Sequence, residues 1–282
     1  MPTREFAIVN KLGLHARAAS KFVTVASQYE ADIRVAKDGR EVSGKSIMGV
    51  MMLAAARGSR IDVSAEGADA EAARAADRDP AHITLVAVSK TKPAARVAEA
   101  LDAGQHDFGE NYLQDALAKI ETLAARDPLW HFIGDIQSNK TRDIASCFAW
   151  AHAVDRFKIA RRLSDQRPDG MAPLNVCIQV NIDGEASKSG LAPDDVPELA
   201  EQIAALEHVR LRGLMAIPAP ADDFETQRRP FAALRALMDK LNADGHTLDT
   251  LSMGMSADLE AAIAEGATHV RVGTAIFGAR DT

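Results

Sequence analysis

Ile83-Thr84-Leu85-Val86-Ala87-Val88-Ser89-Lys90 is a β-branched, mostly apolar run that closes on a hydroxyl and an ammonium. A stretch like this, with no polar residue at alternate positions, suits a strand buried on both faces, as in a parallel sheet covered by helices. Lys90 is followed by Thr91-Lys92-Pro93 and falls where strand gives way to loop. In a closed α/β barrel, that end of the strand carries the chemistry. A lysine held there can shed its proton through desolvation and attack an aldehyde. Taken alone, the run fits a solvent-facing lysine at least as well, so the rest of the chain has to choose.

Downstream of this run, strand candidates begin near Asp107, His131, Trp150, Val176, Leu211, Thr250 and His269, and helical stretches or turns alternate with them. With the run at Ile83 they predict a (β/α)8 barrel at the small end of its size range. Upstream the grammar is different. A strand over Glu5 to Val9 precedes a helix over Ala16 to Ser27, and two short strands flank Asp38-Gly39. A short helix from Ile47 and a strand near Arg60 to Ser64 follow. That mixture predicts an open-faced α+β sandwich. We place the boundary between residues 1–76 and 77–282. The seam, Ala68 to Ala76, is alanine-rich and expected to be helical until Asp77-Arg78-Asp79-Pro80 stops it. No Gly/Ser-rich linker separates the modules, so a semi-rigid junction is expected.

The chain has 282 residues, net charge -7 and a sequence pI near 5.6, which gives a nucleic-acid partner no support. Its apolar runs are too short to span a bilayer, and Met1 leads into a strand-like segment with no signal-peptide core. Cys147 and Cys177 show no metal spacing and no C-x-x-C pattern. A cytoplasmic protein with reduced thiols and no metal is therefore expected.

In the first module, Asn10-Lys11-Leu12-Gly13-Leu14-His15-Ala16-Arg17-Ala18-Ala19 sets His15 just before a helix. A helix N-terminus suits a phosphoryl group on an imidazole, and Arg17 can add a charge-assisted contact. Gly44-Lys45-Ser46-Ile47-Met48 puts Ser46 at the N-cap of a short helix that exposes Ile47, Met48 and Met51. Each feature alone is equally an ordinary surface histidine, a capping serine and core methionines. Together, NKLGLHARAA and GKSIMGVMMLAA resemble the histidine-containing phosphocarrier protein (HPr) of the bacterial sugar phosphotransferase system, over residues 1 to about 73. The resemblance implies that His15 is the phosphorylation site and Arg17 its partner. Ser46 would be a regulatory site, and enzyme I and HPr kinase would be the partners. That family ends in a long helix, for which only Asp69 to Ala76 is available here.

In the second module, Leu251-Ser252-Met253-Gly254-Met255-Ser256 and Val270-Arg271-Val272-Gly273-Thr274 end the seventh and eighth strands. Barrel phosphate sites are commonly built there. Gly273 lets backbone approach a phosphate, and the Ser256 and Thr274 hydroxyls can donate to it. Arg271 alternates with Val270 and Val272 and should point into the barrel, where it needs an acceptor. Either a cofactor's pyridine nitrogen or a carboxylate inside the barrel could supply one.

Lys90 and these loops resemble the pyridoxal 5'-phosphate (PLP) homeostasis family over about Asp79 to Asp281. So do Phe108-Gly109-Glu110-Asn111-Tyr112, His131-Phe132-Ile133-Gly134-Asp135-Ile136-Gln137-Ser138-Asn139-Lys140, Gly213 to Pro218 and Ser187-Lys188-Ser189-Gly190. The resemblance implies PLP on Lys90 as a Schiff base, Arg271 at the pyridine nitrogen, and Ser256, Gly273 and Thr274 at the phosphate. Asn111 would lie near the ring. Lys188 is a secondary cofactor-handling site or a plain loop lysine. Asp115, Ile136 and Ala257 depart mildly from the family's usual Glu, Leu and Asp, and most of its first helix is missing.

Related barrels include amino-acid racemases, whose second base is a tyrosine from a further domain. Here no such domain is expected, and the tyrosines are Tyr29 and Tyr112. The expected function is PLP binding without turnover in intracellular PLP homeostasis, with PLP-dependent apoenzymes as possible recipients. The alternatives are a racemase-like enzyme and an active phosphocarrier that regulates the barrel.

Overall fold

The computed structural model describes residues 3–8, 19, 22–23, 26, 32–56, 58–66, 82–185 and 189–278. The chain divides into two compact units, Met1–Asp77 and Arg78–Thr282.

In the first unit, β1 (Thr3–Ala7), β2 (Asp32–Lys37), β3 (Arg40–Ser43) and β4 (Arg60–Glu66) form an antiparallel sheet in the order β1-β4-β2-β3. The β2–β3 hairpin closes through Asp38 and Gly39, at φ 52° and 79°. Both central residues of a twist-matched two-residue hairpin need positive φ, which an Asp-Gly pair accommodates. Residues 19, 22, 23 and 26 are helical, and Ala19, Val23 and Ala26 are buried at the spacing of one helix face. Ala19 and Val23 pack with Val35, Val50, Leu53 and Ile61 into a small core. The short helix α1 (Ile47–Met52) lies where the sequence places it.

In the second unit, β5 (Thr84–Val88), β6 (Asp107–Glu110), β7 (Leu129–Phe132), β8 (Trp150–Val154), β9 (Leu174–Gln179), β10 (Val209–Met215), β11 (Thr250–Ser252) and β12 (His269–Val272) close into a parallel barrel in chain order. Closure pairs β12 with β5, Arg271 opposite Val86. Every observed strand starts within two residues of its expected position, because a buried parallel strand has to be apolar along its whole length. Around the barrel run α2 (Ala94–Asp102), α3 (Leu113–Leu123), α4 (Thr141–Cys147), α5 (Phe157–Asp165), α6 (Val196–Ala204), α7 (Phe224–Ala243) and α8 (Leu259–Ala264). A last helical turn, α9 (Thr274–Phe277), follows β12.

The barrel's apolar core lies largely between strands and helices, with Phe108, Ile144, Ile159, Leu163, Leu174, Ile178 and Leu214 essentially inaccessible. Among the described residues, no helix is long and apolar enough to cross a membrane, and no cluster of His, Cys, Asp and Glu has the makings of a metal site. His15, Arg17, Lys188 and the seam over 68–76 lie outside the described residues.

Candidate functional site at the carboxyl ends of the barrel strands

Lys90 lies two residues past the last residue of β5 and is half-buried. Its two neighbours are tied down by a buried ionic cluster. Ser89 Oγ donates to Glu110 Oε1 at 2.5 Å, while Lys119 Nζ donates to the Ser89 carbonyl at 2.8 Å, to Glu110 Oε1 at 2.7 Å and to Asp115 Oδ2 at 2.8 Å. On the far side of Lys90, the Thr91 N–H donates to the same Asp115 Oδ2 at 3.3 Å. Thr91 sits at φ 64°, an unusual conformation for a β-branched residue that the surrounding contacts must enforce. The Lys90 backbone is thus clamped from both sides. Desolvation raises the Glu110 carboxyl's pKa, while hydrogen bonds from Lys119 and Ser89 work against that rise.

Neither Glu110 nor Lys119 was evident from sequence as part of this site. Asp115 and Lys119 stand at the i,i+4 spacing of an ordinary surface pair. The signal that could have found them is a glutamate at the end of a barrel strand, where an uncompensated charge is untenable.

Arg271 points into the barrel as its alternation with Val270 and Val272 requires, and it is 4% exposed. Its acceptors within the protein are not the carboxylate that the sequence offered as one candidate. Nη1 donates to Ser252 Oγ at 2.7 Å and Nη2 to the Ala216 carbonyl at 3.0 Å, so a hydroxyl and a peptide oxygen hold it. Burial lowers Arg271 to about 10, which leaves it cationic at neutral pH.

Gly273 follows, and a Cβ there would stand 3.2 Å from the Val88 carbonyl. That close approach sets the β12 terminus against the β5 terminus that carries Lys90. Thr274 opens α9 and is exposed, as is Ser256 in the loop after β11. That loop turns at Gly254, φ 93°, whose carbonyl accepts the Arg271 N–H at 2.9 Å.

Asn111 follows β6. A Cβ at Gly134 would come within 2.7 Å of Asn111 Cβ, so the glycine of the β7 motif makes room for the asparagine. Asn111 Oδ1 is buried with no hydrogen-bond partner. A cavity of about 520 Å³ opens beside it, lined by Asn111, Tyr112, Phe132, Asp135, Gln137 and Lys140.

Lys90, Asn111, Arg271, Gly273, Thr274 and the Ser256 loop therefore belong to four neighbouring strands, in the order β11-β12-β5-β6, at one end of the barrel. In the first unit Ser46 caps α1, its Oγ accepting the Gly49 N–H at 3.1 Å, and Met48, Met51 and Met52 are exposed.

Comparison with known proteins separates the two units in the same way. Residues 2–76 match the family model described as "PTS HPr component phosphorylation site", and residues 67–281 match "Alanine racemase, N-terminal domain". Both claim residues 67–76, so the seam serves both matches. The chain is 65% identical to the pyridoxal phosphate homeostasis protein of Pseudomonas aeruginosa, covering 75% of this chain and 90% of that one. It is 53% identical to the protein of that name from Escherichia coli K12, covering 74% and 91%. Among solved structures, PipY of Synechococcus elongatus with PLP bound is 37% identical at a TM-score of 0.65, covering 74% of this chain and all of that one. The chain belongs, through its barrel, to the pyridoxal phosphate homeostasis protein family.

Proposed function

We propose that the barrel binds PLP covalently at Lys90 and carries it without turnover, and that the first unit is a phosphocarrier domain of the phosphotransferase type. The residues present suit the cofactor. A lysine whose flanking backbone is clamped beyond β5 stands beside a strand end where a Cβ would be crowded. Next to it are a buried guanidinium held by neutral oxygens and an asparagine whose Oδ1 lacks a partner. The observation that carries the proposal is Arg271, a buried cation whose two hydrogen-bond acceptors are both uncharged.

When bound, PLP supplies an aldehyde for an amine and an electron-withdrawing ring. Lys90 holds the aldehyde end. Ser256, Gly273 and Thr274 would hold the phosphate through hydroxyl and backbone donors, and Asn111 would lie near the ring. Arg271 would face the pyridine nitrogen as a hydrogen-bond donor. A cationic donor at that position keeps the nitrogen unprotonated and weakens the ring as an electron sink. Carriage therefore fits better than racemisation, which also needs a second base. In the first unit, His15 would accept the phosphoryl group with Arg17 as its partner, and Ser46 would be a regulatory site. Enzyme I and HPr kinase are the matching partners, PLP-dependent apoenzymes the recipients, and the cytoplasm the location.

The test is the purified protein's visible absorbance before and after borohydride. The expected result is a reducible adduct that Lys90→Ala abolishes while the barrel stays folded. Thr274→Ala should weaken retention by roughly 0.5–1.5 kcal/mol for a net hydrogen bond lost. Racemisation of alanine dependent on Lys90 and far above that of free cofactor would overturn the carrier reading. Enzyme I with phosphoenolpyruvate should leave an acid-labile phosphate that His15→Ala removes.

A further inference from the structure

The inside of a (β/α)8 barrel is ordinarily filled by branched apolar side chains. Here a connected line of polar side chains crosses it. Asp107, the first residue of β6, has its Oδ1 3.0 Å from His131 Nε2. His131 Nδ1 is 2.9 Å from His152 Nε2, and His152 Nδ1 is 2.7 Å from Ser252 Oγ. Ser252 Oγ in turn accepts from Arg271 Nη1 at 2.7 Å. His131, His152 and Ser252 are fully buried, and Asp107 retains 26% side-chain exposure at the amino end of the barrel.

With Asp107 ionised, the protons on this line have one arrangement. A carboxylate only accepts, so His131 carries its proton on Nε2 and offers Nδ1 as an acceptor. His152 must then donate from Nε2, which leaves its Nδ1 to accept the Ser252 hydroxyl proton. The Ser252 oxygen accepts from Arg271. Every bond runs the same way, from Arg271 towards Asp107, and both imidazoles are neutral. A second proton on the line would set a donor on His131 Nδ1 against His152 Nε2. His152 would have to reverse, and the Ser252 hydroxyl would turn its proton elsewhere.

We propose that the line from Asp107 through His131, His152 and Ser252 is a positioning device for Arg271, fixing the plane and donor set that the guanidinium presents to the cofactor's ring nitrogen. The inference rests on the PLP reading above. Its surroundings keep the imidazoles neutral. His269 stands 6.0 Å from both rings, Trp150 stacks on His131, and Arg212 lies over Trp150 paired with Asp249. Arg271 and Arg212 are the cations nearby, and Asp107, Asp249 and Asp258 the anions. Burial depresses the pKa of His131 and, further, of His152, to which the neighbouring His131, His269 and Arg271 also contribute. Burial likewise brings His269 to about 4.

The experiment uses the full chain with ¹⁵N-labelled histidine, with and without PLP, and the variants Ser252→Ala, Ser252→Thr and Asp107→Asn. In the apo protein both line histidines should show neutral rings protonated on Nε2. Ser252→Ala should weaken PLP retention by about 3- to 10-fold and shift the visible band, while the Lys90 adduct remains borohydride-reducible. Ser252→Thr should restore both. Asp107→Asn, at the other end of the barrel, should move the same band and perturb the His152 resonances. Unchanged retention and band in both Ser252→Ala and Asp107→Asn, or a His152 proton on Nδ1, would overturn the proposal. If the unaltered protein forms no reducible adduct, the PLP reading falls and takes this proposal with it. An adduct indifferent to the line removes the proposal alone.

Discussion

Lys119 shows how a residue's surroundings change its meaning. It is 3% exposed, and its ammonium holds Glu110, Asp115 and the Ser89 carbonyl together beneath Lys90. A buried pair gains little over a well-packed apolar pair, whereas removing one partner strands the other charge. Lys119→Met should therefore cost about 3–5 kcal/mol of barrel stability in denaturant titration. Adding Glu110→Gln should recover part of that loss. A single variant as stable as the unaltered chain would show that Glu110 does not depend on its partner.

At the scale of elements, α2, α7 and α8 stop at a glycine of positive φ (Gly104, Gly245 and Gly266), whereas α4 has no such glycine and a tertiary contact ends it. The α4 end is held by Arg167, beyond α5. Nη1 donates to the Ala145 and Phe148 carbonyls at 2.6 and 2.7 Å, and Nε to the Ala172 carbonyl at 2.8 Å. The last carbonyls of a helix have no intrahelical partner and favour a cation. Burial lowers the Arg167 pKa, so this contact is desolvated. Arg167→Ala should destabilise the barrel by about 1–3 kcal/mol for each carbonyl left buried and unpaired. Arg167→Lys should rescue only part, because one ammonium lacks the guanidinium's fork. Equal melting of Ala, Lys and unaltered chains would refute this capping role.

At the scale of the whole molecule, the two units have separate buried cores, one small and one extensive. A small core leaves little margin over chain entropy. Calorimetry should resolve two transitions, the lower belonging to residues 1–77. One cooperative transition, with calorimetric and van't Hoff enthalpies equal, would contradict this. The barrel transition should also fall as pH drops from 7 towards 5. Buried His131, His152 and His269 resist protons that the unfolded chain takes up near its ordinary histidine value. Their contribution is full above that value and is lost as pH falls below it. Glu110 and Glu260, with raised pKa values, work in the opposite direction. His152, held well below its ordinary value, and His269, brought to about 4, set the sign. A barrel that melts higher at pH 5 than at pH 7 would reverse it.

The two modules, the barrel's strand positions and the placing of Lys90, Arg271, Gly273 and Thr274 at the carboxyl ends of β5 and β12 were legible along the chain. Apolar runs, strand alternation and glycine at a crowded strand end are local constraints, and each is written into a few consecutive residues. The Asp38-Gly39 hairpin was legible for the same reason. The tertiary structure alone decided what those residues are attached to. Arg271 finds its acceptors on Ser252 and Ala216, 19 and 55 residues away. The His152 contact with Ser252 spans 100 residues, and the clamp on Lys90 draws on a strand and helix that sequence spacing reads as a surface pair. Partners that meet across a closed barrel share no periodicity along the chain. They become neighbours only when closure removes water from every polar group inside and obliges each to find another.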